Sequence, residues 1–411
     1  MPQVRSGYED AGVRNWYLPV HASAFATRNL AKLGDSEATR LVQMKHLVCA
    51  CTGMPEQNQE WLMEFAHATA ETEMQVLSAM RPTTKIGEAY QYSNMLAAAA
   101  GFVGGYAAYP KRELGAAYDE AMRTRVFEPL GMKSTTFDYD RALRSNHATP
   151  HSEDVDGKVQ VGTTAGNRAV VPIRPAAGAW SNAHDVALYV QMELANGKLP
   201  NGQRYVSEKN LLARRERQST PEPDLAYGMG LETNTRYGTP LIHHGGSMFG
   251  LRSDMFWLPE HDIGGVILTN ADSGRGVRDI YQRKVLEVLF DGKPEADEDL
   301  ATYAKNRKDH IAKERMRLVV PAAEDAVTAL AKRYVSPVLG EISVERKGRT
   351  TIFDFGEWKS TVASRKNDDG SISFFTIDAG VDNDELVVAQ RDGKRALLIN
   401  DRQMEYVFLE K

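Results

Sequence analysis

Two short stretches carry residue types that could move protons and hold an acyl group: Tyr92-Ser93-Asn94 and, further on, His244-Gly245-Gly246-Ser247. A phenol and an imidazole can each carry a proton, and an asparagine amide can both donate and accept. The paired glycines strip side chains from what reads as a strand, so a ligand could lie along its edge and meet main-chain donors. Taken singly, a tyrosine or histidine in a fold usually just satisfies a hydrogen bond. No serine in the chain is followed three residues later by lysine. The nearest approaches are Ser78 with Arg81, before an Arg-Pro break, and Ser343 with Arg346, far downstream. Gly245-Gly246-Ser247-Met248-Phe249 is not a nucleophile elbow, because its fifth position is Phe rather than Gly.

These residues need elements to position them. A loop over 82–92 delivers Tyr92 and Asn94 to the start of an alanine-rich helix, where Ala97 to Ala100 and Gly101, Gly104 and Gly105 suit close packing. Earlier, one helix is expected over 37–48, broken by Thr52-Gly53-Met54-Pro55, and a second over 58–80. Asp156-Gly157 marks a hairpin, and a helix begins near Ala183 with Val186, Leu188, Tyr189, Met192 and Leu194 on its apolar side. Strands over 240–247, 251–258 and 264–270 have short connections, which makes the sheet antiparallel, and a helix over 277–290 lies back across it. From 292 to 317 the chain is dense in Lys, Glu, Asp and Arg, which suits a solvated, partly helical connector. After a short helix ending near Tyr334, strands over 341–344, 350–355, 361–364, 371–376, 385–389, 395–399 and 405–409 point to a small antiparallel barrel or sandwich.

Composition narrows the function. The chain has 411 residues, long enough for two domains, with 42% hydrophobic and 26% charged residues. A net charge of −5 with scattered Lys and Arg gives no footprint for nucleic acid, so a small-molecule or peptide substrate is expected. No run reaches the ~18 apolar residues of a membrane span, and the polar start over 1–12 is unlike a signal. Cys49 and Cys51 are too few for a disulfide framework and lie too close in sequence for an easy mutual bridge; they read as two small residues beside a turn. His147 and His151 share an i, i+4 spacing near Glu153, Asp154 and Asp156, but Pro150 breaks the helix a zinc site would need. No metal and no cofactor is expected.

In their order, the motifs resemble the serine β-lactamase-like family of class C β-lactamases, D-Ala-D-Ala carboxypeptidases, D-aminopeptidases and esterases. The matching stretches begin with His46-Leu47-Val48-Cys49-Ala50-Cys51-Thr52-Gly53-Met54-Pro55, Tyr90-Gln91-Tyr92-Ser93-Asn94 and Phe127-Glu128-Pro129-Leu130-Gly131-Met132. They continue with Ala177-Gly178-Ala179-Trp180-Ser181, Tyr227-Gly228-Met229-Gly230 and His243-His244-Gly245-Gly246-Ser247. The resemblance covers roughly 15–290. It implies that Tyr92 shuttles a proton, that Asn94 holds the substrate, and that His244 fills the strand position taken by lysine or histidine. It also implies that Gly246 and Ser247 line the substrate strand, with the Ser247 N–H as one of two oxyanion donors.

The family's Ser-x-x-Lys, with the first helix and two strands of its sheet, precedes the His-Leu-Val stretch, and the chain is expected to start after them. The expected fold is therefore α+β: a β-lactamase/transpeptidase-like domain over 1–290 lacking its N-terminal part, a charged connector over 291–317, and a lipocalin-like antiparallel β-barrel over 318–411. The implied activity is a serine hydrolase cleaving an ester or amide through an acyl-enzyme, such as a D-amino-acid peptide, a β-lactam-like compound or a small ester, with this chain inactive by itself. The alternative is a non-catalytic relative that binds a peptide, cell-wall fragment or partner protein in the same groove. A barrel that binds an apolar ligand is a third reading, set against a filled barrel core. The strand over 264–270 is expected to present an unpaired edge that favours association. Localisation would be periplasmic or secreted if a signal precedes the chain, and cytoplasmic otherwise.

Overall fold

The structure, a computed structural model, describes residues 32–411 apart from Glu64, Thr163, Ala165, Asp382, Asn383, Arg402 and Gln403. The polar start and the first part of the family stretch lie outside the described residues.

Helices α1 (Ser36–Leu41), α2 (Gln59–Met63), α3 (Ala70–Ala79), α4 (Asn94–Ala108) and α5 (Leu114–Met122) surround the first core. Their starts follow local chemistry: Asp35, Thr69 and Ser93 each cap a helix by accepting from a backbone N–H of its first turn. The small residues of α4 let it touch α5 closely. A Cβ on Gly105 would come within 2.6 Å of the Tyr118 backbone. Leu96, Phe102, Val103, Leu114 and Ile173 fill the space between.

Six strands follow as an antiparallel meander in sequence order: β3 (Ser219–Glu222), β4 (Leu225–Tyr227), β5 (Glu232–Asn234), β6 (Leu241–Met248), β7 (Leu251–Leu258) and β8 (Ile263–Thr269). The short hairpin of β1 (His151–Glu153) and β2 (Val159–Val161) stands apart, touching the sheet through His151 and Ala271. Alternation decides what each face carries. His244, opposite Met255, lies on the face covered by α6 (Ala183–Leu194), whose Val190 and Leu194 pack on Met255 and Val266. His243, Asp254 and Phe256 lie on the other face, under α7 (Arg275–Leu289), where Gln282 donates to Asp254 at 2.6 Å.

The C-terminal part is a closed barrel of eight antiparallel strands. They are β9 (Arg333–Ser336), β10 (Gly340–Lys347), β11 (Thr350–Asp354), β12 (Lys359–Lys366), β13 (Ile372–Thr376), β14 (Glu385–Arg391), β15 (Lys394–Asp401) and β16 (Met404–Glu410). Tyr334, Ile342, Phe353, Phe374, Leu386, Leu397 and Phe408 are buried inside it, so side chains fill the interior. Helix α2 clasps the barrel to the first domain. Met63 is buried in the barrel cluster, Tyr406 donates to Glu60 at 2.9 Å, and the Ala66 N–H donates to Glu357 at 2.9 Å.

Several elements differ from expectation. The helix expected over 37–48 ends at Leu41 and continues as a 3-10 turn (Met44–Leu47), leading into a turn in which Cys49 and Cys51 are bonded to each other, their Cα atoms 5.2 Å apart. The expected difficulty of that bridge is overcome because Ala50, between them, sits in the left-handed region at φ 49°. The helix expected over 58–80 is two, because Met63 turns into the barrel and Thr69 starts a new helix with its own cap. Strands β3 to β5 and β9 were not expected; β9 forms where a helix end was read near Tyr334. The charged segment is one continuous helix, α8 (Ala296–Arg317). Two of its arginines dock it: Arg307 pairs with Glu153 and Arg315 with Asp156, while Asp299 pairs with Arg283 of α7. Asp297, Glu298 and Asp299 in its first turn and Arg315 and Arg317 in its last complement the helix dipole.

One buried group makes stability depend on pH. Glu73 is 5% exposed with an unpartnered Oε2, and burial, then the nearby Glu60, pushes its carboxyl up from 4.5 to about 7. The folded state therefore holds this proton more tightly than the unfolded chain, so the contribution is full below 4.5 and is lost as pH rises through about 7. Urea unfolding at pH 5 and pH 8 is expected to show Glu73→Gln losing less stability across that interval than the parent, by on the order of 3 kcal/mol.

Candidate active site

The turn at 48–53 assembles the site from backbone hydrogen bonds. The Val48 carbonyl accepts from the Gly230 N–H at 2.8 Å and the Cys49 carbonyl from the Ser219 hydroxyl at 2.9 Å, which ties in the β3–β5 region. The Ala50, Cys51 and Gly53 carbonyls accept from the Gln91, Gly87 and Thr83 N–H groups at 2.8, 2.7 and 2.7 Å, which lays the 83–91 loop alongside. Tyr92 thus leaves that loop against the strand end that carries Tyr227. Gly53 is needed at its place: its φ is +75°, and a Cβ there would lie 2.1 Å from the Thr84 carbonyl oxygen.

Tyr92 and His244 are brought together by a residue to which the sequence reading assigned no role. Tyr227, 3% exposed at the end of β4, has its ring centroid 6.3 Å from Tyr92, 5.6 Å from Tyr90 and 6.1 Å from His244, all edge-on. Its hydroxyl is 3.1 Å from His244 Nε2. The other ring nitrogen, Nδ1, is 2.9 Å from the Gly245 carbonyl oxygen, which can only accept, so Nδ1 carries the hydrogen. A neutral ring then offers its Nε2 lone pair to the Tyr227 O–H. Electrostatics favour this state: burial pulls the His244 pKa below its ordinary value, partly opposed by Glu232. Burial, with Tyr92 and Tyr90 beside it, pushes the Tyr227 phenol up.

Tyr92 is also pushed up, by burial and then by Glu232 and Glu56, so it stays a protonated phenol. Asn94 opens α4, and its Nδ2 donates to Asn58 Oδ1 at 3.2 Å, an oxygen that also accepts from Trp61 Nε1 at 3.1 Å. Asn58 in turn donates to Glu56 at 2.8 Å, which holds the amide chain in one orientation. Gly246 shares the His244 face of β6, opposite Ser253, and its carbonyl accepts from Arg278 at 3.3 Å. Ser247 is exposed, on the opposite face from His244, three residues along the strand and roughly 10 Å away.

A cavity of about 170 Å³ lies beside Tyr92, lined by Glu56, Gln57, Tyr90, Gln91 and Tyr92 from the first domain and Asp401 and Met404 from the barrel. The barrel's place at the site could not be read from sequence, whereas the stretch Tyr227-Gly228-Met229-Gly230 was a usable signal for Tyr227. His151 is bound to Asn270 through ring and backbone, and no cluster of three metal-binding side chains occurs among the described residues. No described helix is long and apolar enough to cross a membrane.

A helical core packed on an antiparallel sheet, with a phenol and an imidazole meeting at the glycine-bearing strand, defines the β-lactamase/transpeptidase-like class of fold. The chain belongs to the Beta-lactamase family, whose model matches residues 13–289. It is similar to an octameric penicillin-binding protein homologue from Pyrococcus abyssi, with 19% identity and a TM-score of 0.57 over 98% of this chain and 84% of that one. A D-stereospecific amidohydrolase from Streptomyces sp. is 19% identical, with a TM-score of 0.51 over 64% of this chain and 77% of that one. A class C β-lactamase is 16% identical, with a TM-score of 0.44 over 64% and 76%. No curated protein sequence matches the chain.

Gly53→Ala is expected to destabilise the protein by roughly 2–4 kcal/mol, measured by urea unfolding, because a left-handed backbone and a backbone clash coincide. At pH 6.5, where an ordinary histidine is about half protonated, nitrogen NMR is expected to show His244 mostly neutral with hydrogen on Nδ1. Glu232→Gln should lower its midpoint further, since Glu232 raises it.

Proposed function

We propose that the groove between the start of α4, β4 and β6 handles an ester or amide acyl group, with the nucleophilic Ser-x-x-Lys absent from this chain. The observation that carries this reading is the convergence of Tyr92 and His244 on Tyr227 beside the Gly245-Gly246-Ser247 edge. In it, the Asn94 amide holds the substrate's own amide, the Ser247 N–H meets the carbonyl oxygen, and, once a serine supplied from outside this chain has attacked that carbonyl and taken the acyl group, Tyr92 hands its proton to the departing leaving group. A phenol held protonated suits the donor half of that exchange better than the base half. The neighbours described as a penicillin-binding protein homologue and a D-stereospecific amidohydrolase make D-amino-acid peptides and β-lactam-like compounds the substrates to try first.

A second reading has its own support. Burial, then Glu232 and Glu56, pushes the Tyr92 phenol up, and His244 is neutral and engaged with Tyr227, so neither is poised to activate a hydroxyl. The chain alone would then bind an acylated peptide in this groove without cleaving it.

Incubation with a fluorophosphonate and with a fluorescent penicillin, read by intact mass, is expected to leave the chain unmodified. An adduct on any of its serines would overturn the claim that the nucleophile is absent. Titration with a D-alanyl-D-alanine peptide, followed by NMR, is expected to shift Tyr92, Asn94 and Ser247, and Asn94→Ala should weaken binding about tenfold. Unperturbed signals at all three would remove both readings of the groove.

A further inference from the structure

One wall of the cavity beside Tyr92 comes from the barrel, and it carries charge. Asp401 ends β15 and Met404 begins β16, directly opposite each other in the ladder, and both line the cavity. Tyr406 lies two residues along β16, on the same face as Met404. Its hydroxyl donates to Oε2 of the buried Glu60 at 2.9 Å, while Oε1 of Glu60 accepts from Gln57 Nε2, also at 2.9 Å. Gln57 lines the cavity from the first domain. One carboxylate therefore ties both walls together and holds the end of the β15–β16 hairpin over the cavity.

Docking of the barrel brings Asp401 to the same small cavity as Glu56 of the first domain. Like charges that share a partly enclosed space disfavour one another. Neighbouring groups feel this field. Burial, then Glu232, Tyr92 and Glu56, pushes the Tyr90 phenol up to about 12, and Asp401 adds to the burial that raises the Glu60 carboxyl. A cation seated between Glu56 and Asp401 would relieve the repulsion. An ammonium group also brings three N–H donors, enough for the two carboxylates and a phenol oxygen of Tyr90 or Tyr92. A ligand carboxylate would meet charge of its own sign.

We propose, on the reading of the adjoining groove as an acyl site, that this cavity takes the protonated amine of a peptide's free N-terminus, with Asp401 of the barrel as the residue that selects it. The amine end of the ligand then points toward the barrel. Peptides with a free amine come ahead of N-acylated compounds such as penicillins, because an acylated nitrogen has lost its charge and brings added bulk to a cavity of only about 170 Å³.

Isothermal titration calorimetry on the full chain can compare D-alanyl-D-alanine with propionyl-D-alanine, which keeps the carbon skeleton and the amide but has no amine. The amine-bearing ligand is expected to bind about tenfold more tightly or better, and Asp401→Asn should bring the two within about threefold. Methyl NMR of the unsubstituted protein is expected to show Met404 shifted by D-alanyl-D-alanine and not by propionyl-D-alanine, a readout that does not depend on the variant folding. Equal affinities, or an unmoved Met404, together with shifts at Tyr92 and Asn94 would overturn the proposal and leave the groove reading standing. A preference that survives Asp401→Asn would overturn it as well. Binding of neither ligand would remove the groove reading and this inference with it.

Discussion

Five backbone carbonyls on the turn at 48–53 are the constraint on which the rest of the site depends. The carbonyls of Val48, Cys49, Ala50, Cys51 and Gly53 bind Gly230, Ser219, Gln91, Gly87 and Thr83, which belong to the sheet on one side and to the Tyr92 loop on the other. A buried backbone carbonyl left unpaired is costly, so the turn and the two segments it joins must form together. The left-handed Ala50 and Gly53 are the local consequence: the chain turns sharply enough there for successive carbonyls to point to different elements. Without this turn, Tyr92 and Tyr227 would belong to separate pieces of the molecule.

Once joined, the site is governed by protonation. Burial is the first cause of each shift: it keeps Tyr92 and Tyr227 as phenols and His244 as a neutral ring. Glu232 and Glu56 add negative potential around Tyr92. The result is a hydrogen-bond donor facing the groove and a closed Tyr227–His244–Gly245 chain behind it. The barrel extends the same economy of burial to the other end of the cavity, where α2 inserts Met63 into the barrel core while Asn58, the residue just before α2, orients Asn94.

Legibility followed the range of the interactions. The start of α4 was readable because Ser93 caps it within one turn, and β6 to β8 because alternation and short turns are local. The Cys49–Cys51 bond was missed because Ala50 gives no sign in sequence of a left-handed backbone; hydrogen bonds from distant segments accompany it. Likewise the break between α2 and α3 depends on where Met63 finds apolar partners, in strands almost 300 residues later. β9 was taken for a helix end because its four residues gain their pairing only when β10 and β16 are in place.

The sequence by itself determined the family, the α+β class with a C-terminal barrel, and the pair of residue types that could carry acyl chemistry, because ordered motifs and periodicity are written in neighbouring residues. It also determined that no serine stands one helical turn before a lysine. Only the tertiary structure decided that Tyr92 and His244 meet through Tyr227, which nitrogen of His244 bears its hydrogen, and that the barrel walls one side of the cavity. Those outcomes depend on burial and on hydrogen bonds between segments far apart in the chain, and neither quantity exists until the chain has folded.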